Sequence, residues 1–398
     1  FIEIFTVQTN KIFGLDVSKS YFDCTNFYFE IDREDNYRKK GPSKENRKDP
    51  IIGLGLLLDT NQIPIGMKLY PGNESEKPII RDVIRELKER NQITGKTVQV
   101  ADKGLNCSEN IINAIKNKDG YIFSKSVKQL PETEVTWILL NDGYKKVTDN
   151  DGKILYLIKE CIDEFPYTYT DENGKKHIVR LKEKRVVTYN PKLAEKKKYE
   201  INKLVEKAKI LKTSQAKKSE FGESSKYVTF SSIDQKGITT KGKVRVDINQ
   251  KAIEKDLKLA GFNLLVTSEL KMKADDIYNT YHNLWRIEES FKVMKSYLDA
   301  RPVYLQKIES IHGHFLICYL TILLIRILQF NVLKNKYCTE KIIKFIREFR
   351  VVKIENNKYV NITSASKFMK ILANDLKLPI TNYFLDESQI KMMLNYRF

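Results

Sequence analysis

Three acidic side chains are the best-placed chemistry in this sequence. Glu288 lies in the run Ile277, Tyr281, Leu284, Glu288, Phe291, Lys295 and Leu298, whose spacings alternate four and three. Seven residues advance an α-helix by almost two turns, so Tyr281, Glu288 and Lys295 share one face to within about 20° per heptad. That face is otherwise apolar and is expected to pack on a sheet. A carboxylate placed there must be neutralised, because an unpaired buried charge is costly. Lys295, roughly 10 Å away along the axis, is an awkward sole partner. Two answers stand at this point: an arginine that the spacing does not reveal, or a metal ion shared with other carboxylates.

Two aspartates supply the companions. Asp23 falls inside an aromatic, β-forming run, Tyr21 to Phe29, where aspartate has poor propensity and its presence must be offset. Asp102 ends the strand pattern Thr97 to Ala101, at the carboxyl edge where α/β sheets place ligands. Alone, each reads more simply as a structural or capping aspartate; together with Glu288 they form a far more specific set. Glu289 is rotated about 100° off the helical stripe, and Asp16 precedes the dense strand pattern. Hard oxygen donors of this kind suit Mg²⁺ or Mn²⁺. Two such ions can activate a water or a 3′-hydroxyl and stabilise the leaving oxygen of a phosphodiester.

The elements that must position these residues follow from periodicity. From Lys11 to about Leu69 the pattern is strand-like, with Ile51–Leu58 and Ile63–Leu69 flanking a turn at Asp59-Thr60-Asn61-Gln62. A basic loop, Arg38 to Asp49, precedes that hairpin. Ser75 to Arg90 reads as a helix with Ile79, Ile80, Val83, Ile84 and Leu87 on one stripe. The strand before Asp102, a helix Ser108–Asn117 and a strand Tyr121–Ser124 follow. Three strands, helix, strand, helix, strand is the order of a ribonuclease H-like α/β core, a mixed five-stranded sheet with flanking helices.

The stretch 127–260 looks like a strand-rich insertion. It carries strand signals at Lys153–Ile158, His177–Leu181, Val186–Tyr189 and Tyr227–Phe230, and a basic helix after Asn190-Pro191. Lys196, Lys197, Lys198, Lys203, Lys207, Lys209 and Lys212 fall on that helix, read equally as a solvated face or a DNA contact. Phe262–Thr267 is then a strand, and one long helix is expected from Met272 to Leu298. The expected organisation is 1–126 for the first part of the core, 127–260 for the insertion, 261–333 for the last core strand and helices, and 334–398 for a C-terminal segment of helices with a hairpin (Val351–Ile354, Tyr359–Ile362).

The bulk numbers agree with a large buried core and a polyanionic partner. Of 398 residues, 41% are apolar, and 70 Lys plus Arg against 51 acids leave a net charge of +19. Each phosphate neutralised by such a surface releases a condensed counterion. Five scattered cysteines, with no Cys-x-x-Cys, argue against zinc and disulfides and fit a reducing cytosol. Phe315–Ile325, broken by Arg326, is shorter than the roughly 20 residues a bilayer needs and reads as a buried helix, so no membrane partner is expected. The chain opens on Phe1 rather than Met, which reads as a fragment lacking an N-terminal segment.

Tyr281-x2-Leu284-x3-Glu288-x6-Lys295, with its setting Tyr-His-Asn-Leu-Trp-Arg-Ile-Glu-Glu-Ser-Phe-Lys, resembles the Tyr-Arg-Glu-Lys signature of the insertion-sequence-four family of transposases. Asp23-Cys24-Thr25-Asn26-Phe27-Tyr28-Phe29-Glu30 resembles that family's first-Asp strand and Val100-Ala101-Asp102-Lys103-Gly104-Leu105 its second-Asp motif. Gly41-Pro42-Ser43-Lys44-Glu45-Asn46-Arg47 and Arg301-Pro302-Val303 match it too. The resemblance runs from Asp23 to about Leu328. It implies Asp23, Asp102 and Glu288 as ligands of two Mg²⁺ or Mn²⁺ ions, cleavage at terminal inverted repeats, and strand transfer into target DNA by a homodimer on paired ends. It also implies phosphate contacts by Tyr281 and Lys295 and a cytoplasmic, nucleoid-associated bacterial protein. Lys44 and Arg47, in the basic loop, and Arg301 are further expected DNA contacts.

One departure stands out: Leu284 occupies the signature Arg position, and Arg286 points to another helical face. His312-Gly313-His314 reads as core or capping histidines rather than a metal pair, and Trp285 as a packing residue. Two other readings stay open, an inactive relic that only binds DNA and a structure-selective nuclease on the same fold.

Overall fold

The computed structural model describes residues 1–90, 95–171, 173–214, 218–232, 244–355 and 357–397. It divides into two compact units, one of Phe1–Gly95 with Trp285–Phe398 and one of Lys96–Leu284.

The first unit opens with helix α1 (Ile2–Phe13), ended by Gly14 in the left-handed region. Lys11–Phe13 therefore belongs to a helix and not to the strand pattern expected there, because those residues form the last turn before that cap. Strands β1 (Lys19–Tyr28), β2 (Ile51–Leu58) and β3 (Pro64–Pro71) form an antiparallel meander. Asp23 faces Leu56 in the register. Every residue of β2 is buried, as its unbroken apolar run requires of a strand covered on both faces. Gly53 and Gly55 make room for aromatic cover, since a Cβ at Gly53 would lie 2.1 Å from the Tyr70 ring and one at Gly55 2.7 Å from Phe22. The β2–β3 turn closes on Asp59, whose carboxylate accepts from the Ile63 amide at 2.8 Å and the Asp16 amide at 3.2 Å. Burial pushes the Asp59 carboxyl up to about 7 against those hydrogen bonds. Helix α2 (Glu76–Arg90) buries the five apolar residues of its stripe.

In the second unit, β4 (Val98–Ala101), α3 (Ser108–Lys116) and β5 (Gly120–Lys125) make a parallel pair with its crossover helix. Helix α4 (Glu132–Leu139) leads to β6 (Lys145–Thr148), β7 (Ile154–Thr170) and β8 (Lys176–Tyr189). Helix α5 (Pro191–Thr213), the antiparallel strands β9 (Val228–Ser232) and β10 (Val244–Ile248), helix α6 (Gln250–Lys258), strand β11 (Phe262–Thr267) and helix α7 (Ala274–His282) complete it. The strand order here is β4-β5-β11-β8-β7-β6. The sheet is mixed and larger than the five strands expected, because β11 pairs with β5 on one side and with β8 of the middle stretch on the other.

β8 joins two strand signals that the sequence separates with a charged run. The charges are satisfied internally. Glu183, fully buried, accepts from Tyr121 Oη at 2.7 Å, Tyr167 Oη at 2.5 Å and Arg185 Nε at 2.9 Å. Arg185 also pairs with Glu134 and lies 3.3 Å over the Phe165 ring. In α5, the Asn190 side chain caps the Leu193 amide, Ile201, Val205 and Ala208 face inward, and the lysines face out.

The chain returns to the first unit with α8 (Trp285–Lys292), a π-helical turn Val293–Tyr297, α9 (Ile308–Arg326) and a second π-helical turn Ile327–Val332. Helix α10 (Thr339–Glu348), strands β12 (Val351–Glu355) and β13 (Lys358–Asn361), α11 (Lys367–Leu376), β14 (Phe384–Asp386) and α12 (Glu387–Leu394) follow. β14 adds a third strand to the expected hairpin. Leu333, Ile342 of α10, Met369 and Leu372 of α11, and Ile380 pack together as a local core of this C-terminal segment. Ile308–Val332 is long and apolar enough to cross a membrane by length and composition, yet half of its apolar 18-residue stretch is buried within the protein. Its Phe315 ring sits 4.7 Å from that of Phe27 in β1.

The single helix expected over Met272–Leu298 is interrupted. The Leu284 amide turns back to the Tyr281 carbonyl at 3.0 Å and the helix restarts at Trp285. Leu284 is buried at this break while Asn283 is exposed, so burying the leucine wins over helical continuity.

Candidate functional site

Asp102 stands directly after β4, where the Leu105 amide bonds its carbonyl at 3.0 Å to form a tight turn. Asn106 Nδ2 ties that turn to the Ser124 carbonyl at the end of β5, 2.8 Å away. The Asp102 carboxylate is thereby held at the carboxyl edge of the parallel pair, as the sequence indicates. Tyr281 Oη donates to Asp102 Oδ1 at 2.8 Å. The tyrosine expected to touch phosphate thus holds a carboxylate in this structure.

Asp23 sits mid-strand in β1, half-buried, with Oδ1 accepting from the Cys24 amide at 2.8 Å. The basic loop approaches it. Lys44 Nζ lies 3.7 Å from Asp23 Oδ1, donates to the Cys24 carbonyl, and stands 3.7 Å from Glu76. The next residue, Glu45, accepts from Lys295 Nζ at 3.2 Å and from Arg301. Burial pulls the Lys295 ammonium below its usual range, and Glu45 opposes that shift. Lys295 lies on the π-helical turn, where the Leu298 amide bonds the Val293 carbonyl at 3.0 Å. Arg47 lies 3.7 Å over the Tyr28 ring and pairs with Asp49 at 3.3 Å. The loop's root is fixed by backbone crowding, because a Cβ on Gly41 would fall 2.0 Å from the Gly72 carbonyl oxygen.

Glu288 overturns one expectation. It is exposed on α8, while Ile287, Ser290 and Phe291 are buried. The interruption before Trp285 ends the continuous stripe, so Glu288 is not a buried charge awaiting compensation. Among the described residues Glu288 has no hydrogen bond or ion pair, which leaves its carboxylate available to a ligand. Its neighbour Glu289 meets the buried arginine instead. Arg326, 1% exposed, reaches Glu289 at 3.2 Å, Gln329 at 2.8 Å, Thr339 at 3.1 Å, Ser290 at 3.0 Å and the Arg286 carbonyl at 3.3 Å. This node fixes α8, and the sequence gives it only as the residue that interrupts an apolar run.

Trp285 is 48% exposed with the Arg286 guanidinium 4.5 Å from its ring, so it is not the packing residue expected. His312 stacks on Tyr37 at 5.4 Å, and His314, its pKa lowered by burial, packs against Phe315. The five cysteines are free thiols.

Among the described residues no three His, Cys, Asp or Glu side chains form a ready-made metal cage. Each unit offers hard oxygen donors of the kind a divalent cation takes: in the first, Glu288 is exposed and Asp23 has the Lys44 ammonium beside it, and in the second, Asp102 accepts one tyrosine hydroxyl.

No curated protein matches the chain significantly. A solved structure, the cryo-EM structure of piggyBac transposase synaptic complex with hairpin DNA, aligns at 9% identity with a TM-score of 0.36. The alignment covers 84% of this chain and 52% of that one, so the chain spans about half the length of that protein. Residues 29–324 match the model described as "Transposase DDE domain", a span that includes Asp102 and Glu288 and begins after Asp23. This chain therefore belongs to the transposase DDE domain family.

Proposed function

We propose that the protein is a DNA transposase that cuts at the ends of an insertion sequence and joins them to target DNA. The observation that carries the reading is a family match over most of the chain whose span contains Asp102, held by Tyr281 at the carboxyl edge of β4. Asp23, Asp102 and Glu288 would hold two Mg²⁺ or Mn²⁺ ions, which when bound supply Lewis acidity at the reacting phosphodiester. The chain's own groups do the rest. Tyr281 orients the Asp102 carboxylate. Lys295 and Arg301 offer a phosphate the cationic pair that Glu45 now fills, and Lys44 and Arg47 add positive charge from the loop. A ribonuclease H-like core with 127–260 as its insertion, kinship with the insertion-sequence-four family, a homodimer on paired ends and action at the nucleoid in the cytoplasm belong to the same proposal.

The test uses labelled DNA carrying the terminal inverted repeats that flank the gene, with Mn²⁺. End-specific nicks that disappear in Asp102→Ala are the expected result. Binding without cleavage would replace this reading with an inactive DNA-binding protein, and junction-selective cuts would replace it with a nuclease.

A further inference from the structure

A groove of about 710 Å³ opens in the second unit beside the turn that holds Asp102. Its lining gathers six lysines from four separate segments: Lys103 after β4, Lys125 and Lys128 at the end of β5, Lys197 and Lys203 on α5, and Lys226 before β9. Glu200, Glu223 and Asp256 are the acids among them, and two are already engaged. Glu200 pairs with Lys197 at 2.7 Å, while Asp256 pairs with Lys128 at 2.5 Å and accepts from Tyr227 Oη at 2.9 Å. Among the described residues Lys103 and Lys203 have no ion pair. Between these cations the lining includes apolar side chains, with Leu193 exposed and Leu204 and Phe262 half-buried.

We propose that this groove binds a single strand of DNA, with phosphates on the lysines and sugars and bases against the apolar lining. This assignment rests on the DNA reading above and concerns the form of nucleic acid held. A duplex turns its bases inward and presents phosphates, so it has no use for an apolar lining; an unpaired strand uses both surfaces. The arrangement is also built rather than incidental. The Asn106–Ser124 hydrogen bond sets Lys103 beside the end of β5, and α5 is packed tightly at its root, where a Cβ on Gly261 would meet Ala194 at 2.5 Å. Because Lys103 follows Asp102 in the chain, a strand in the groove lies next to that carboxylate.

The experiment measures binding of the full chain to a mixed-sequence single-stranded oligonucleotide and to its duplex, in EDTA, over a range of salt. Lys103→Gln/Lys203→Gln/Lys226→Gln is expected to weaken single-strand binding at least about tenfold. It should also reduce the slope of log affinity against log salt by about 2, at ~0.7 per phosphate. Duplex affinity should fall less, and the corresponding Lys→Arg triple should restore single-strand binding. Lys203→Gln alone, at an exposed helix position, repeats the test with a slope change of about 0.7 should the triple not fold. Unchanged single-strand affinity, equal losses for both DNAs, or a loss that arginine does not restore would each overturn the proposal. A wild-type chain that binds no DNA would sink the transposase reading itself; a wild-type that binds like its variant would sink only the groove.

Discussion

The surroundings of Asp23 and of Asp102 handle charge in opposite ways. Beside Asp23 the cations are spoken for. Lys44 leans on Asp23 and Glu76, Lys295 and Arg301 share Glu45, and Arg47 holds Asp49 and the Tyr28 ring. Beside Asp102 the carboxylate meets a neutral hydroxyl, and the neighbouring groove keeps lysines over. A net charge of +19 is therefore not spread evenly as binding capacity. A region that neutralises itself must exchange an internal partner for each phosphate or metal it accepts, whereas an under-neutralised one gains counterion release directly.

The largest expected effect tests whether the two environments serve one reaction. Asp23→Asn and Asp102→Asn should each reduce Mn²⁺-dependent nicking by at least about a hundredfold, the scale of losing an oriented group at the reacting centre. DNA affinity in EDTA should separate them. Asp23→Asn removes one of the two carboxylates beside Lys44 and tightens binding, while Asp102→Asn has no paired lysine to unburden. A variant at either position that still nicks at the wild-type rate would remove that aspartate from the site.

Next is Arg326→Met, which tests how far self-neutralisation in the first unit is structural. The substitution strands Glu289, Gln329 and Thr339 around a buried methionine. Breaking a buried, hydrogen-bonded charge network of this kind costs about 3 kcal/mol. Urea unfolding should show that loss, with the salt slope of single-strand binding unchanged. A loss under about 1 kcal/mol would mean that water or Arg286 takes over the node.

Smaller again is Glu45→Gln. Its carboxylate competes with phosphate for Lys295 and Arg301, so removing its charge should tighten duplex binding about tenfold, roughly 1.4 kcal/mol. Weaker binding would show instead that Glu45 positions the two cations and does not compete for them. Either outcome sharpens the contrast with the groove, where among the described residues Glu200 and Asp256 each pair with one lysine.

These expectations divide along the line between what sequence periodicity encodes and what only packing decides. The hairpin around Asp59, the α2 stripe, the strand end at Asp102 and the Asn190 cap are local, and each is legible in residue type and spacing. The break before Trp285 is not, because Tyr281, Leu284 and Glu288 keep perfect helical spacing across it. Burial of Leu284 overrides the period, and with it goes the inference that Glu288 is buried. The continuity of β8 through Lys182–Arg185 is likewise invisible, since its charges are satisfied by Tyr121, Tyr167 and Glu134, all distant in sequence. The groove lysines come from four segments, and only those on α5 announce themselves as a run. Of the carboxylates, Asp102 is the most legible because a strand end is a local feature.

The smallest effect is the most discriminating. Tyr281→Phe removes one hydroxyl and keeps the ring, whose edge-on packing with His282 at 5.7 Å is unchanged. If the hydroxyl serves Asp102, as the 2.8 Å hydrogen bond indicates, DNA affinity in EDTA should stay at the wild-type value. Nicking should fall about fivefold, roughly 1 kcal/mol, the net worth of one hydrogen bond to a partly solvated carboxylate. Because a less constrained carboxylate binds a cation more weakly, the Mn²⁺ concentration for half-maximal nicking should rise in the variant. If the hydroxyl instead serves a phosphate, affinity in EDTA falls and the Mn²⁺ requirement does not move. The two readings of Tyr281 therefore differ in which titration shifts, and the same pair of titrations shows whether Asp102 depends on its neutral neighbour or merely borders it.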